Sequence, residues 1–268
     1  LWRELRDGKF DIVHAQGSKA AQMVSRVKWA LPAGVKTIGT LHNQKRNVQA
    51  FRKLDHAIGV SKALSKDINR DSCTTVYHGL KTELWQDELP TVKRNNRLLM
   101  LAVGRLVEAK GFDLLLSAWT NVDADLLIVG DGPDKELLEN QIEKLGLEGK
   151  VTLQGRVKNV PGYMKAADGV VVSSRREGFS YVVAEALLCR CPVVSTDVPV
   201  ANEVLDKSLI MGTDPRSISD TLCRLIEDIE AWRRQCESAF EFALDEFVFE
   251  KMLEKTERLY FDLLDARH

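Results

Sequence analysis

The sequence has no long hydrophobic run, few cysteines and almost no net charge. The first two features each exclude a class of protein. No apolar stretch reaches the roughly 18 residues that a membrane-spanning helix needs. The five cysteines are odd in number and scattered, which argues against a disulfide framework and is typical of a reducing compartment. The sequence also has no signal-peptide pattern. Together these features predict a cytoplasmic globular protein.

The near-zero net charge conceals an uneven distribution. Residues 1–90 carry 15 Lys and Arg against 9 Asp and Glu, whereas the remaining residues carry 23 against 30. A basic half beside an acidic half is consistent either with ordinary solvated surface or with an anionic partner for the first half.

Short apolar runs alternate with helical patterns, which predicts an α/β fold built on doubly wound parallel sheets. Strands are predicted at 10–16, 35–43, 54–61 and 74–80, then at 97–104, 124–130, 151–155, 169–174, 191–196 and 208–211. A polar break at 84–96, which contains Pro90, is interpreted as a linker. We therefore predict one Rossmann-like domain at 1–90 and another at 91–246, with a C-terminal helix at 247–268 that packs back on the first.

Four strands are few for the first sheet, so we expect its N-terminal part to be missing from this sequence. Ser18 is expected to cap a helix that carries an apolar face packed toward the core, made of Ala20, Ala21, Val24, Val27 and Trp29. Leu253 and Leu259 are predicted to be buried in the last helix.

The stretch SSRREGFSYVVAEALLCRCPVVST, residues 173–196, is interpreted as a strand exit, a loop, a helix and a second strand. Glu177 lies in the loop, and Glu185 lies about 12 Å further along, two turns into the helix. Backbone N–H groups at a helix start favour an anion, and here they belong to Gly178, Phe179 and Ser180. A sugar nucleotide, with hydroxyls on either side of a diphosphate, fits that order of groups.

A second candidate segment, VGRLVEAKGFD, leaves a strand through Gly104 and places Arg105 and Lys110 before a helix. A glycine exit lets the backbone approach a ligand, and an Arg fork beside a Lys point charge suits a diphosphate. Gly130 and Gly132 also follow a strand, where a tight turn is the favoured interpretation. The strand that ends at Gly155 exposes backbone that could face a flat ring such as a nucleobase.

Four motifs in this order resemble the C-terminal domain of retaining glycosyltransferases of family 4. They are VGRLVEAKGFD, LLIVGDGP, VTLQGRV and MKAADGVVVSSRREGFSYVVAEALLCRCPVVST. The fold of that family is GT-B, with two Rossmann-like domains facing a cleft that holds the active site. The resemblance is close over residues 97–205, where Glu177 and Glu185 form the family's E-x7-E element. FDIVHAQ, TLHN, GVSKAL and VYHGL resemble the N-terminal domain more loosely. The family's glycine-rich loop near the N-terminus has no match here, which agrees with an incomplete first domain.

The resemblance implies roles for individual residues. Arg105 and Lys110 would hold the donor diphosphate and stabilise its developing charge, and Glu177 would accept hydrogen bonds from the transferred sugar. Glu185 would bind the ribose. The remaining implied donor-binding positions are Gly104, Arg156, Val157, Gly178, Phe179 and Ser180.

In the first domain the family pattern places His14 and His42 at strand ends. Many members have His-x-His where this chain has His14-Ala15-Gln16, which leaves open the group that meets the acceptor. His14 is the catalytic candidate, although a lone histidine is often structural. The family's glycine pair is replaced here by Val200 and Ala201.

The resemblance thus predicts a retaining hexosyl-type glycosyltransferase that moves a sugar from a UDP- or GDP-sugar to a saccharide or glycolipid, as in bacterial lipopolysaccharide or surface-polysaccharide synthesis. No metal, other cofactor or nucleic acid is expected. Peripheral contact with the inner face of an anionic membrane would use Lys45, Arg46, Arg52 and Lys53. The alternatives are a nucleotide-sugar-binding fragment without turnover, and a GT-B epimerase or phosphorylase.

Overall fold

The computed structural model describes residues 2–85, 88–92 and 95–265, and the chain divides into two compact units. The first unit comprises Leu1–Gly79 together with Glu246–His268, and the second comprises Leu80–Asp245. The domain boundary that we expected at residue 90 therefore falls inside the second unit. Parts of two predicted segments lie outside the described residues, namely 86–87 and 93–94 of the linker and 266–268 of the last helix.

The first unit is built on a parallel sheet in the sequential order β1-β2-β3-β4. Its strands are β1 Ile12–Gln16, β2 Lys36–Leu41, β3 His56–Gly59 and β4 Cys73–Thr75. Its helices are α1 Trp2–Asp7, α2 Gly17–Val27, α3 Gln49–Arg52, α4 Lys62–Ile68 and α13 Phe249–Asp265. Ser61 caps α4, its hydroxyl accepting a hydrogen bond from the Leu64 N–H at 3.2 Å.

The strand β4 is shorter than the run 74–80 predicted. The Val76 N–H still donates to the Gly59 carbonyl at 3.1 Å, but β3 ends at that residue, so its ladder with β4 cannot continue. Tyr77 nevertheless stays buried, with its ring edge-on to Phe247 at a centroid distance of 5.3 Å. The apolar pattern at 76–77 thus indicated burial rather than strand pairing.

The last helix, α13, packs on the sheet of the first unit. Leu259 is buried in one cluster with Ile38, Ile58 and Val76, which come from or follow three neighbouring strands. Leu253 is 43% exposed, so its predicted burial was wrong. Six residues of an α-helix turn through about 600°, which leaves Leu253 and Leu259 roughly 120° apart around the axis.

Burial of Trp29 was also predicted wrongly, because this side chain is 85% exposed. Helix α2 ends at Val27, and Trp29 lies in the 3-10 turn that follows. Ala21 and Val24, which lie within α2, are buried as predicted.

The second unit contains a six-stranded parallel sheet in the order β10-β9-β8-β5-β6-β7. Its strands are β5 Leu99–Val103, β6 Asp125–Val129, β7 Val151–Gly155, β8 Gly169–Val172, β9 Val193–Thr196 and β10 Ile210–Met211. Numbered from β5, this order is 3-2-1-4-5-6, the doubly wound arrangement. Strand order reverses between β5 and β8, which pair directly, so the loops that follow them leave the sheet side by side.

Helices cover the second sheet, and the predicted α/β class with two parallel sheets is confirmed. They are α5 Phe112–Trp119, α6 Lys135–Lys144, α7 Val160–Ala166, α8 Tyr181–Leu188, α9 Ala201–Val204, α10 Pro215–Ile226, α11 Ile229–Gln235 and α12 Glu237–Glu246. Strands β6 and β8 are buried along their whole length, as their apolar sequences predict. Trp232 packs so closely on β8 that a Cβ at Gly169 would lie 2.5 Å from its ring. Within the described ranges, no helix has the length and apolarity to span a bilayer.

The packing of α13 gives a first prediction. Leu259→Ala should lower the free energy of unfolding of the first unit by about 2–4 kcal/mol, because it removes a buried side chain and leaves a cavity. Leu253→Ala, on the exposed side of the same helix, should change it by less than about 0.5 kcal/mol. Urea unfolding of both variants measures the difference, and equal losses would contradict the packing described here.

Candidate functional site

The loop after β5 brings Lys110 back over the strand exit. The turn Glu108–Lys110 follows that exit, and a Cβ at Gly104 would lie 3.2 Å from the carbons of the Lys110 side chain. Gly111 then adopts φ +65°, and a Cβ there would lie 2.1 Å from the Ser173 carbonyl oxygen. Only glycine allows that approach, so the loops after β5 and β8 touch at this point.

Lys110 and Glu177 form an ion pair across the two loops. The Lys110 Nζ lies 2.6 Å from the Glu177 Oε1, and the side chains are 21% and 12% exposed. The Ser174 hydroxyl donates to the same oxygen at 2.8 Å. Both bonds use Oε1, and among the described residues nothing hydrogen-bonds to Oε2. Glu177 is therefore held in place with one oxygen left for a ligand hydroxyl.

The start of α8 offers a second unpartnered polar group. Gly178, Phe179 and Ser180 are buried immediately before the helix, and the Phe179 ring lies edge-on to Tyr181 at 5.0 Å. The Ser180 hydroxyl oxygen is buried and has no hydrogen-bond partner within the described part of the chain. Because buried hydroxyls almost always have partners, this one is available to a ligand at the helix start.

Glu185 lies further along α8 and is largely buried. Burial raises the pKa of its carboxyl to about 7, and no hydrogen bond or ion pair involves its side chain among the described residues. Burial, followed by the charge of Glu185, also raises the pKa of Tyr181. A half-neutral carboxyl at pH 7 can both donate a hydrogen bond to a hydroxyl and accept one from it.

A cavity of about 580 Å³ opens at the ends of β5, β6 and β7. It is lined by the predicted residues Gly104, Arg105, Arg156 and Val157, and also by Val103, Val129, Gly130, Asp131, Gly132 and Val160. Lys110, Glu177 and Glu185 do not line it. The structure thus divides the predicted donor residues between this cavity and the loops at the Lys110–Glu177 pair, and Gly104 touches both.

Gly130 and Gly132 line the cavity although the sequence favoured a tight turn, and the structure shows that they do both. A Cβ at Gly130 would lie 1.8 Å from the Gly104 carbonyl oxygen, and one at Gly132 would lie 2.3 Å from the Leu106 carbonyl oxygen. Because these two glycines follow β6, the neighbour of the switch-point strand β5, the sequence could have indicated that they line this cavity.

In the first unit, both ring nitrogens of His14 are engaged. Nδ1 lies 2.6 Å from the Tyr260 hydroxyl and Nε2 lies 2.7 Å from the Thr40 hydroxyl. Burial, with a smaller effect from His42, lowers the pKa of His14 to about 4, so the ring is neutral at pH 7. His14 therefore lies inside a hydrogen-bonded network, and each of its ring nitrogens has a hydroxyl partner.

That network continues outward through Gln16 and His42, which were named above from the sequence, and through His78, which the sequence did not single out. The exposed Gln16 lies 3.3 Å from His14 Nε2 and 2.9 Å from His42 Nε2. His42 stacks on His78, with 3.3 Å between their ring nitrogens. Burial lowers the pKa of both rings, that of His78 to about 4. Gln16 and His42 are thus the more accessible polar groups at this edge of the first sheet.

Val200 adopts φ +76° and ψ −56° at the start of α9, where the family resemblance expected glycine. This conformation is a rare and strained γ-turn for a β-branched residue. Elsewhere, no group of three or more His, Cys, Asp or Glu side chains is placed to hold a metal ion in the described ranges.

The family model of glycosyl transferases group 1 matches residues 85–241 of this chain. That match covers more than half of the sequence and contains every donor-side residue discussed above. The chain therefore belongs to the group 1 glycosyltransferase family.

Curated relatives match over part of their length. N-acetyl-alpha-D-glucosaminyl L-malate synthase of Bacillus anthracis is 32% identical over 149 residues, which are 54% of this chain and 39% of that protein. An uncharacterized glycosyltransferase of Methanocaldococcus jannaschii is 27% identical, over 79% of this chain and 60% of its own length. The chain thus spans roughly 40–60% of the length of these two relatives.

Solved glycosyltransferase structures share the fold. The crystal structure of Anabaena Alr3699/HepE in complex with UDP superposes with a TM-score of 0.82 at 20% identity, over 95% of this chain and 79% of that one. The apo form of the lipopolysaccharide outer core galactosyltransferase WaaB superposes with a TM-score of 0.79 at 18% identity, over 97% and 78%. The predicted GT-B fold is confirmed.

The burial of Glu185 gives a prediction on pH. Its pKa is raised from 4.5 to about 7, so its neutral form contributes stability that is present below about pH 4.5 and is lost as the pH rises through about 7. Glu185→Gln, which stays neutral, should gain roughly 3 kcal/mol over the wild type at about pH 8 and little at about pH 4.5. Unfolding at both pH values measures this.

The matched control is Glu139→Gln, since the Glu139 side chain is 54% exposed on α6. This variant makes the same chemical change at an exposed position and is compared with Glu185→Gln at both pH values. A Glu185 carboxyl resonance that titrates below about pH 5.5 in 13C NMR would contradict the raised pKa.

Proposed function

We propose that this protein is a retaining glycosyltransferase that moves a hexosyl group from a nucleotide-sugar donor to a saccharide or glycolipid acceptor. The observation that carries the proposal is the Lys110–Glu177 pair at the switch point of the second sheet, where Glu177 keeps Oε2 free. A cation for a phosphate and a carboxylate for sugar hydroxyls stand side by side there. That juxtaposition suits the bond between a sugar and a diphosphate.

In this proposal the donor lies along the ends of β5 and β8. Arg105 and Lys110 bind the diphosphate, and the Ser180 hydroxyl and the N–H groups at the start of α8 add donors to it. Glu185 holds the ribose hydroxyls. The cavity beside Arg156 and Val157 takes the base. Because two structural neighbours, Anabaena Alr3699/HepE and S. aureus TarM, were crystallised with UDP, and HepE also with UDP-glucose, we propose a UDP-sugar as the donor.

The chemistry that we propose is departure of the nucleoside diphosphate, with retention at the sugar carbon. Negative charge grows on the leaving phosphate, and Lys110 lies within reach to stabilise it. Glu177 orients the sugar through its free oxygen. Cationic side chains and a helix start would thus do the work of a metal ion, so we expect transfer without one.

We propose that the acceptor is a precursor of a bacterial lipopolysaccharide or surface polysaccharide. The support comes from two similar proteins: WaaB, whose name refers to the lipopolysaccharide outer core, and a Campylobacter jejuni transferase named for a diphospho-undecaprenol acceptor. The latter is 35% identical over 48% of this chain. A cytoplasmic protein in peripheral contact with the inner face of the membrane would meet such acceptors.

A nucleotide-sugar-binding fragment without turnover is the second candidate. It is favoured by the position of the proposed donor residues, which all lie within one unit. Calorimetry with UDP-sugars beside transfer and hydrolysis assays separates the two candidates, because the fragment would bind the donor and leave it intact.

The proposed site predicts strong effects of two substitutions. Glu177→Gln and Lys110→Ala should each lower kcat at least about a hundredfold, the usual scale for a lost transition-state contact. The exposed pair Lys135 and Glu139 on α6, 3.7 Å apart, provides matched controls. Lys135→Ala and Glu139→Gln should keep wild-type rates. Wild-type rates in both site variants would contradict the assignment.

Membrane contact gives a separate prediction. Lys45, Arg46, Arg52 and Lys53 are all exposed, but Arg52 also donates to the Ile68 carbonyl at 2.6 Å, so only the other three exposed residues are changed. Replacing these three residues by Gln should weaken binding to anionic liposomes by roughly 1 kcal/mol per charge. Flotation assays measure this, with neutral liposomes as the control. Unchanged binding to anionic liposomes would show that these three residues do not mediate membrane contact.

A further inference from the structure

We propose that Arg175 is a positioning residue for the transfer reaction, holding the turn that presents Lys110 to Glu177. The reaction named here rests on the proposed function, whereas the positioning itself rests on contacts within the second unit.

The guanidinium of Arg175 ties down both ends of the segment that carries Lys110. Its two terminal nitrogens donate to the two carboxylate oxygens of Asp113, at 2.7 and 2.6 Å. One of them also donates to the Glu108 carbonyl at 2.7 Å. Glu108 begins the turn that ends at Lys110, and Asp113 lies in the first turn of α5. One side chain thus spans residues 108–113.

The backbone beside Arg175 completes a closed set of contacts. The Arg175 N–H donates to the Ala109 carbonyl at 2.8 Å, and the Ser173 hydroxyl donates to the Lys110 carbonyl at 2.9 Å. Glu177 follows Arg175 by two residues in the same loop. The distance between Lys110 Nζ and Glu177 Oε1 is therefore set by a ring of bonds that passes through Arg175.

A role limited to stability does not fit this pair. The Arg175 and Asp113 side chains are 29% and 48% exposed, and ion pairs that exposed contribute little to the free energy of unfolding. Arg175 does hold the pKa of the Asp113 carboxyl below its usual range, so the pair stays charged at neutral pH. The two parallel bonds from the planar Arg175 guanidinium to the Asp113 carboxylate fix the relative geometry of the two residues. A lysine, with a single charged nitrogen, cannot reproduce that geometry.

The expected consequence of losing Arg175 is a misplaced Lys110 in a folded protein. A displacement of about 1 Å at a reacting group can lower a rate about a hundredfold. Because Lys110 is proposed both to bind the diphosphate and to stabilise the charge that develops as it leaves, kcat should fall and donor KM should rise. A loss of folded protein would instead lower the active fraction and the melting temperature.

The test compares Arg175→Ala, Arg175→Lys and Asp113→Asn in the full 268-residue chain, with the exposed neighbour Arg176→Ala as the matched control. We expect kcat to fall at least about tenfold in the first three variants, with donor KM raised by less than in Lys110→Ala. Arg175→Lys should not rescue kcat, although it keeps the charge. Arg176→Ala should match the wild type.

A second readout does not need turnover. The rate of Lys110 reductive methylation, followed by mass spectrometry on folded protein, should rise at least about threefold in Arg175→Ala and stay unchanged in Arg176→Ala. If the wild type transfers no sugar, the proposed function fails. The methylation rate alone then tests whether Arg175 holds Lys110 in place.

Three results would overturn the inference: unchanged kcat in Arg175→Ala, full rescue by Arg175→Lys, or an unchanged methylation rate. A drop in activity matched by an equal drop in the folded fraction would also overturn it, because the role would then be merely structural.

Discussion

The proposed donor site depends on the close approach of two loops that leave the second sheet where its strand order reverses. Gly111 meets the Ser173 carbonyl and Gly130 meets that of Gly104 at distances that no side chain tolerates. The Gly111 contact places the Lys110 turn against the loop that carries Glu177, whereas the Gly130 contact joins the loops after β5 and β6. Gly111 is therefore a condition for the ion pair and is not interchangeable with another small residue.

The Lys110–Glu177 pair is poorly explained by stability alone. Removing two charges from water costs free energy that their attraction often fails to recover, so a largely buried pair is weak support for a stabilising role. The unpartnered Ser180 hydroxyl and the largely buried Glu185 carboxyl present the same difficulty. Polar groups that break the usual rules of burial tend to gather at functional sites. A bound donor would supply hydrogen-bond partners for the Ser180 hydroxyl and the Glu185 carboxyl.

Much of the second unit follows from its sequence, because buried parallel strands give continuous apolar runs and their carboxyl ends meet at one edge. Arg105, Lys110 and Glu177 could be selected on that basis. The bond between Arg175 and Asp113 could not, since it joins residues 62 positions apart. The contact of His14 with Tyr260, 246 positions away, depends on the packing of α13 and left no local signal.

Local patterns also failed where a neighbouring element decided the outcome. The strand β4 stops where β3 stops, and Leu253 faces solvent because of its angle around α13. In the first unit, burial keeps His14 and His78 neutral, and their hydrogen bonds join them to Gln16 and His42. The composition of this network was unpredictable from strand ends alone, because its members come from four separate segments.

Above all, we propose that the cationic side chains on the loop after β5 bind the diphosphate of a nucleotide in the second unit. Titration calorimetry of the chain with UDP and with UMP tests it most directly, because the two ligands share base and ribose. We expect UDP to bind at least about tenfold more tightly than UMP, and Lys110→Ala to remove most of that difference. Equal affinity for the two nucleotides would contradict it.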